Sequence, residues 1–124
     1  MSAEVIGATE ACGRPRWAKL SPNTDRIVDV ADAVIDAGAE ALTLVNTVLG
    51  MAIDPLTGVY RLGSAERGGG LSGPAIHPIA VRIVHDVHRA RPEVPIIGVG
   101  GISTGADALE LIRAGACAVQ VGTA

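Results

Sequence analysis

The stretch Val94–Ala124, VPIIGVGGISTGADALELIRAGACAVQVGTA, decides how this chain is read. Val94–Val99 is a short apolar run rich in Val and Ile and bounded by Pro and Gly, the pattern of a buried parallel strand. Gly100–Gly101 follow at its C-terminal end. Ser103 or Thr104 can then N-cap a helix over Gly105–Ala114, with Asp107 in the first turn, where the helix dipole favours a negative charge. Ala114–Gly115–Ala116 closes that helix, and Ala118–Val121 reads as a second strand ending in Gly122–Thr123. Two successive strands therefore deliver glycine and a hydroxyl at their C-terminal ends, where open backbone amides can surround a phosphate. The plainer alternative is that these glycines only make tight turns.

Working outward, the same grammar recurs. Arg16–Leu20 (RWAKL) reads as a short strand broken by Ser21–Pro22–Asn23. Thr24–Ala37 carries apolar residues at Ile27, Val28, Val30, Ala31, Val34 and Ile35, the spacing of a helix with a wide apolar face. Gly38 stops it, and Ala41–Val45 (ALTLV) is the next strand, ending at Asn46–Thr47. Ala37–Gly38–Ala39–Glu40–Ala41 before one strand is echoed by Ala114–Gly115–Ala116–Cys117–Ala118 before another. Small residues there allow helix and strand to pack closely. Alternating strands and helices imply an α/β fold with a parallel sheet. In (β/α)8 barrels the usual phosphate site lies in the loops after the last two strands.

Composition agrees. In 124 residues, 48% are hydrophobic and 19% charged, which marks a globular chain rather than a disordered one. Aromatics are 2% and Phe is absent, so the core must be built from Ala, Val, Leu and Ile. A net charge of −3 without a basic run argues against nucleic acid as a partner. No apolar run approaches the roughly 20 residues of a membrane span, and Met1 opens no signal-peptide pattern, so a cytoplasmic location is expected. Cys12 and Cys117 have no CxxC spacing and suggest neither a disulfide framework nor a zinc site.

Two segments depart from the repeat. Ser2–Cys12 is Ala-rich and reads as a helix stopped by Gly13, so residues 1–15 form an N-terminal helical segment ahead of the repeating unit, 16–124. Thr47–Pro74 is far longer than an ordinary βα loop. Within it, Ala52–Asp54 and Val59–Leu62 flank Pro55–Gly58 as a small hairpin. Gly68–Gly73 is either a flexible linker or, through Ser72–Gly73–Pro74, the approach to a helix over about Ala75–Ala90 that can present amides to an anion.

Few side chains suggest chemistry. Lys19 is the single lysine and sits near the end of a strand read as buried, an expensive place for a charge without a partner. Such a cation could stabilise negative charge on a ligand, or it could snorkel into solvent. Asn46 and Thr47 could hydrogen-bond a polar heterocycle or merely cap the following loop. His77 lies just before or on the third helix; His85 and His88 share a helical face with no carboxylate to complete a metal site, so a solvated face is expected. Cys117, among small packing residues, is expected to be buried. No catalytic dyad or triad can be assembled.

With these residues on the page, the chain resembles class 1 dihydroorotate dehydrogenases, and most of all the catalytic subunit of their NAD-linked 1B subclass. The matching segments are Trp17–Asn23 (WAKLSPN), Leu42–Gly50 (LTLVNTVLG), Gly69–Ile76 (GGLSGPAI), Ile96–Gly101 (IIGVGG) and Ala114–Ala124 (AGACAVQVGTA), in family order. The resemblance implies the C-terminal half of an FMN-binding (β/α)8 TIM barrel, with about four parallel strands. It implies oxidation of dihydroorotate to orotate in pyrimidine synthesis and a partner subunit carrying FAD and an iron–sulfur cluster. A half barrel leaves two strand edges unpaired and an apolar face open, so a homodimer is expected. By the same analogy Lys19 sits beside the flavin and stabilises its reduced, anionic form. Val45, Gly73, Gly100, Gly101, Gly122 and Thr123 contact FMN, the last four around its phosphate. Asn46 and Thr47 bind the pyrimidine.

The chain departs from the family's pattern in holding about four of the eight strands, without the final helix, and in its catalytic base. The base cysteine, on a loop of the first half of the barrel, has no counterpart here: Cys12 lacks its surrounding motif and Cys117 lies in the wrong element. No catalytic base is therefore assigned, and the 124 residues alone are expected to be inactive. Two other readings stand beside this one: a related FMN barrel such as a dihydropyrimidine dehydrogenase module, and a non-catalytic half-barrel.

Overall fold

Four apolar runs become one parallel sheet. A computed structural model describes residues 2–64 and 66–122. Its strands are β1 (Trp17–Leu20), β2 (Ala41–Leu44), β3 (Val48–Gly50), β4 (Ala52–Ile53), β5 (Tyr60–Leu62), β6 (Gly69–Leu71), β7 (Ile96–Val99) and β8 (Ala118–Gln120). The helices are α1 (Ser2–Ala8), α2 (Ile27–Asp36), α3 (His77–Ala90) and α4 (Gly105–Ala114). The main sheet runs β1-β2-β7-β8, all parallel, with Lys19 opposite Thr43, Thr43 opposite Ile97 and Ile97 opposite Ala118.

Chain order equals sheet order, and each link passes through a helix. Right-handed crossovers then put every linking helix on the same face. The core shows it: Ala18, Leu20, Leu42, Leu44 and Ile96 meet Ala31 and Val34 of α2, Ala80, Val84 and Val87 of α3, and Leu111 of α4. The fold is the expected α/β arrangement, that of a partial TIM barrel. Side chains of the opposite sheet face alternate with the core set. At the sheet edges they are exposed, as at Trp17, Lys19 and Gln120.

Local chemistry sets the helix ends. α2 begins at Ile27 rather than Thr24, because the Thr24 hydroxyl accepts the Arg26 N–H (3.1 Å) and holds that turn outside the helix. Thr104, not Ser103, caps α4 in a reciprocal box: its Oγ1 accepts the Asp107 N–H, while Asp107 Oδ2 accepts the Thr104 N–H at 2.7 Å. The Ser103 N–H, then the Thr104 hydroxyl and N–H, hold the Asp107 carboxyl below the usual carboxylate range. At the other end Gly115 has φ +120°, and a Cβ there would lie 2.3 Å from the His88 ring.

The structure corrects two expectations, for Cys117 and His88, and decides two open alternatives, for Gly68–Gly73 and Lys19. The Gly68–Gly73 stretch is no linker, since β6 pairs antiparallel with β3, Val48 opposite Leu71. The hairpin over β4 and β5 is where the turn residues put it, closed by Asp54 Oδ1 accepting the Leu56 and Thr57 N–H groups. Cys117 is exposed, because the strand it leads into is a sheet edge among the described residues. Lys19 is exposed for the same reason at the other edge, where β1 alternates exposed and buried positions. Finally, the α3 face is not uniformly solvated: His85 is exposed, but His88 is half-buried over Gly115.

Candidate functional site

The C-terminal ends of the four parallel strands and the segment entering α3 converge on one cleft of about 130 Å³. Its walls are Lys19 from β1, Val45–Thr47 after β2, Ser72–Gly73 and Ile76 before α3, Val99–Ile102 after β7, and Gln120–Gly122 after β8. The expected site residues Lys19, Val45, Asn46, Thr47, Gly73, Gly100, Gly101 and Gly122 thus share one rim. Thr123 lies outside the described residues. Complete small-molecule pockets measure roughly 300–1,000 Å³, so this cleft encloses part of a cofactor-sized ligand. Wider recesses, between α1 and α2 and between α3 and α4, lie away from the strand ends.

The β2 end is tightly scaffolded. Val45 is buried and its N–H donates to the Val99 carbonyl (2.8 Å), while the Asn46 N–H donates to Leu20 (2.9 Å). Asn46 Oδ1 accepts the Thr47 N–H at 2.9 Å, so this side chain does cap the loop. Its carbonyl oxygen being engaged, the amide nitrogen is the end left to donate. Asn23 is a scaffold residue that reading the chain as strands and breaks did not single out. Its Nδ2 donates to the Thr47 carbonyl (3.1 Å) and its Oδ1 accepts the Leu49 N–H (2.7 Å), tying the loop after β1 to the loop after β2. The polar Asn at the end of the WAKLSPN motif was the available signal.

The β7 end is held by a second unforeseen residue. His77, at the start of α3, is 8% exposed. Its Nδ1 lies 2.8 Å from the Gly100 carbonyl and its Nε2 3.2 Å from Glu110 Oε2. Gly101, at φ +66°, lets this happen: a Cβ there would sit 2.8 Å from His77 Cβ and 2.7 Å from the Gly73 carbonyl oxygen.

The rim fits an anionic group on a larger ligand. Gly73 and Gly122 both line the cleft, and a Cβ on either would meet nothing within 4 Å. Their missing side chains leave room where a ligand would lie. Lys19 supplies an ammonium at the same rim. Cys12 and Cys117 do not line it, and no cluster of three or more metal-ligating side chains occurs among the described residues.

Comparison with known proteins gives the family. The family model described as Dihydroorotate dehydrogenase matches residues 1–124. The chain belongs to the dihydroorotate dehydrogenase family. Among curated relatives, the "Dihydroorotate dehydrogenase B (NAD(+)), catalytic subunit" of Exiguobacterium sibiricum is 51% identical over 125 residues, covering 100% of this chain and 40% of that protein. The protein of the same name from Bacillus thuringiensis is 54% identical over 110 residues, 89% of this chain and 35% of the relative. The chain thus spans less than half the length of these relatives. No helix among its described residues is long and apolar enough to cross a membrane.

Proposed function

We propose that this chain is the part of an FMN-dependent dihydroorotate dehydrogenase that holds the cofactor phosphate, one side of the flavin and part of the substrate. The enzyme oxidises dihydroorotate to orotate in cytoplasmic pyrimidine synthesis. The observation that carries this reading is the convergence of the two glycine loops, Lys19 and Asn46–Thr47 on one cleft.

FMN, when bound, supplies the hydride acceptor, and the protein's task is to bind, orient and balance charge. Gly100, Gly101 and Gly122 surround the phosphate, with Val45 and Gly73 along the rest of the cofactor. Lys19 places a positive charge where the reduced ring becomes anionic. Asn46 and Thr47 donate and accept hydrogen bonds at the pyrimidine. The names of the relatives, with NAD(+) and a catalytic subunit, support an NAD-linked system with a further subunit. The family resemblance supplies the rest of the proposal, that this partner carries FAD and an iron–sulfur cluster and takes up the electrons.

The test is dye-linked turnover by the complete barrel containing these residues, reconstituted with FMN and offered dihydroorotate or dihydrouracil. Oxidation of dihydroorotate is expected. Turnover of dihydrouracil alone would move the chain to the dihydropyrimidine dehydrogenases, and FMN binding without turnover of either would leave a non-catalytic barrel.

A further inference from the structure

We infer that His77 is a positioning residue for the anion cradle: it holds the Gly100 carbonyl so that the Gly101 amide of the same peptide faces the cleft and a phosphate there. This deepens the phosphate-binding reading above and rests on it.

The Gly100–Gly101 bond is trans, and in a trans peptide the C=O and N–H point in opposite directions. A carbonyl only accepts, so His77 Nδ1 bears a hydrogen and donates it in the 2.8 Å contact with Gly100. With the carbonyl turned to His77, the Gly101 N–H turns away from α3. It has no backbone hydrogen bond among the described residues, and Gly101 lines the cleft. A donor without a partner beside a cleft is what an anion satisfies.

The imidazole is itself held from three sides. It is almost fully buried, Glu110 Oε2 lies 3.2 Å from Nε2, and the side-chain-free Gly101 packs against its Cβ. An ionised carboxylate likewise only accepts, so Nε2 bears a hydrogen in the Glu110 contact as well, and the two hydrogen bonds together orient the ring with Nδ1 toward Gly100. His77 touches no reacting atom in this scheme; it acts through Gly101.

The test uses the complete barrel containing these residues and two ligands, FMN and riboflavin, which lacks the phosphate. Binding is read from quenching of flavin fluorescence. His77→Leu should weaken FMN about tenfold, the equivalent of about 1.4 kcal/mol, and leave riboflavin within about twofold. His77→Asn, which keeps an amide donor near the Nδ1 position, should restore most of the FMN affinity. Should the leucine variant not fold, Glu110→Ala at its exposed site carries the test, with FMN weakened roughly twofold to fivefold and riboflavin unchanged. Equal losses for both ligands would make His77 a packing residue and overturn the inference. So would a variant that keeps the full preference for FMN. If the unmutated protein binds the two flavins equally, the phosphate reading falls first and takes the inference with it.

Discussion

Two glycines on the same rim should respond to alanine in opposite ways. Gly101 has φ +66°, and a Cβ there would lie 2.7 Å from the Gly73 carbonyl oxygen, 2.8 Å from His77 Cβ and 2.9 Å from the His77 nitrogen. Carbon contacts are comfortable at about 3.5–4.0 Å, so backbone must move. The left-handed conformation adds roughly 1–2 kcal/mol and forced overpacking roughly 1–3 kcal/mol. Gly101→Ala should therefore cost roughly 2–5 kcal/mol. The shift per kcal/mol is about 2–4 °C for a domain of 150–250 residues and smaller for a larger barrel, so Tm should fall by a few degrees. A Cβ on Gly122 meets nothing within 4 Å, and its φ is not positive. Gly122→Ala should leave stability within about 0.5 kcal/mol, yet weaken FMN about tenfold by occupying the cleft. Thermal unfolding of the apo barrel and flavin-fluorescence titration separate the two effects. A Gly101→Ala protein as stable as the parent, or a Gly122→Ala protein with undiminished FMN affinity, would refute the close-approach and open-cradle assignments respectively.

Lys19→Ala should slow flavin reduction by dihydroorotate far more than it weakens FMN binding, because a charge that forms during the reaction loses roughly 2–4 kcal/mol of stabilisation. Stopped-flow reduction checks this; an unchanged rate with lost FMN would make Lys19 a binding residue only. The Asp54 carboxyl is held down at about 2, first by Arg61 and then by the Thr57 and Leu56 N–H groups. Its contribution to the hairpin is present above the ordinary carboxylate value of about 3.9 and is lost as pH falls through about 2. The Leu56 and Thr57 amide resonances should titrate near pH 2 and lose that step in Asp54→Asn; a midpoint near 4 would show that the Asp54–Arg61 pair does not form.

The βα alternation, the boundaries of α4 and the glycine loops after β7 and β8 could all be read in the sequence because each rests on neighbours within a few residues. Apolar runs of four to six, a 3.6-residue period, a hydroxyl three residues before Asp107 and glycine at a helix end are local signals. They also implied that the glycine-bearing ends of parallel strands meet at one rim, since parallel strands joined by helices all point the same way.

What only tertiary structure decided depends on partners distant in sequence. Gly69–Leu71 carries no strand propensity and becomes β6 because Val48–Gly50 offers a backbone to pair with. Among the described residues Lys19 and Cys117 are exposed because their strands are the outer two of the four, and that position follows from the order in which the strands pair. Asn23 matters through a hydrogen bond 24 residues away, and His77 through one spanning 23. Composition and period establish which elements form. Which polar side chain ends up behind a binding loop is settled when the elements pack, because a hydrogen bond is made only where packing brings donor and acceptor within about 3 Å.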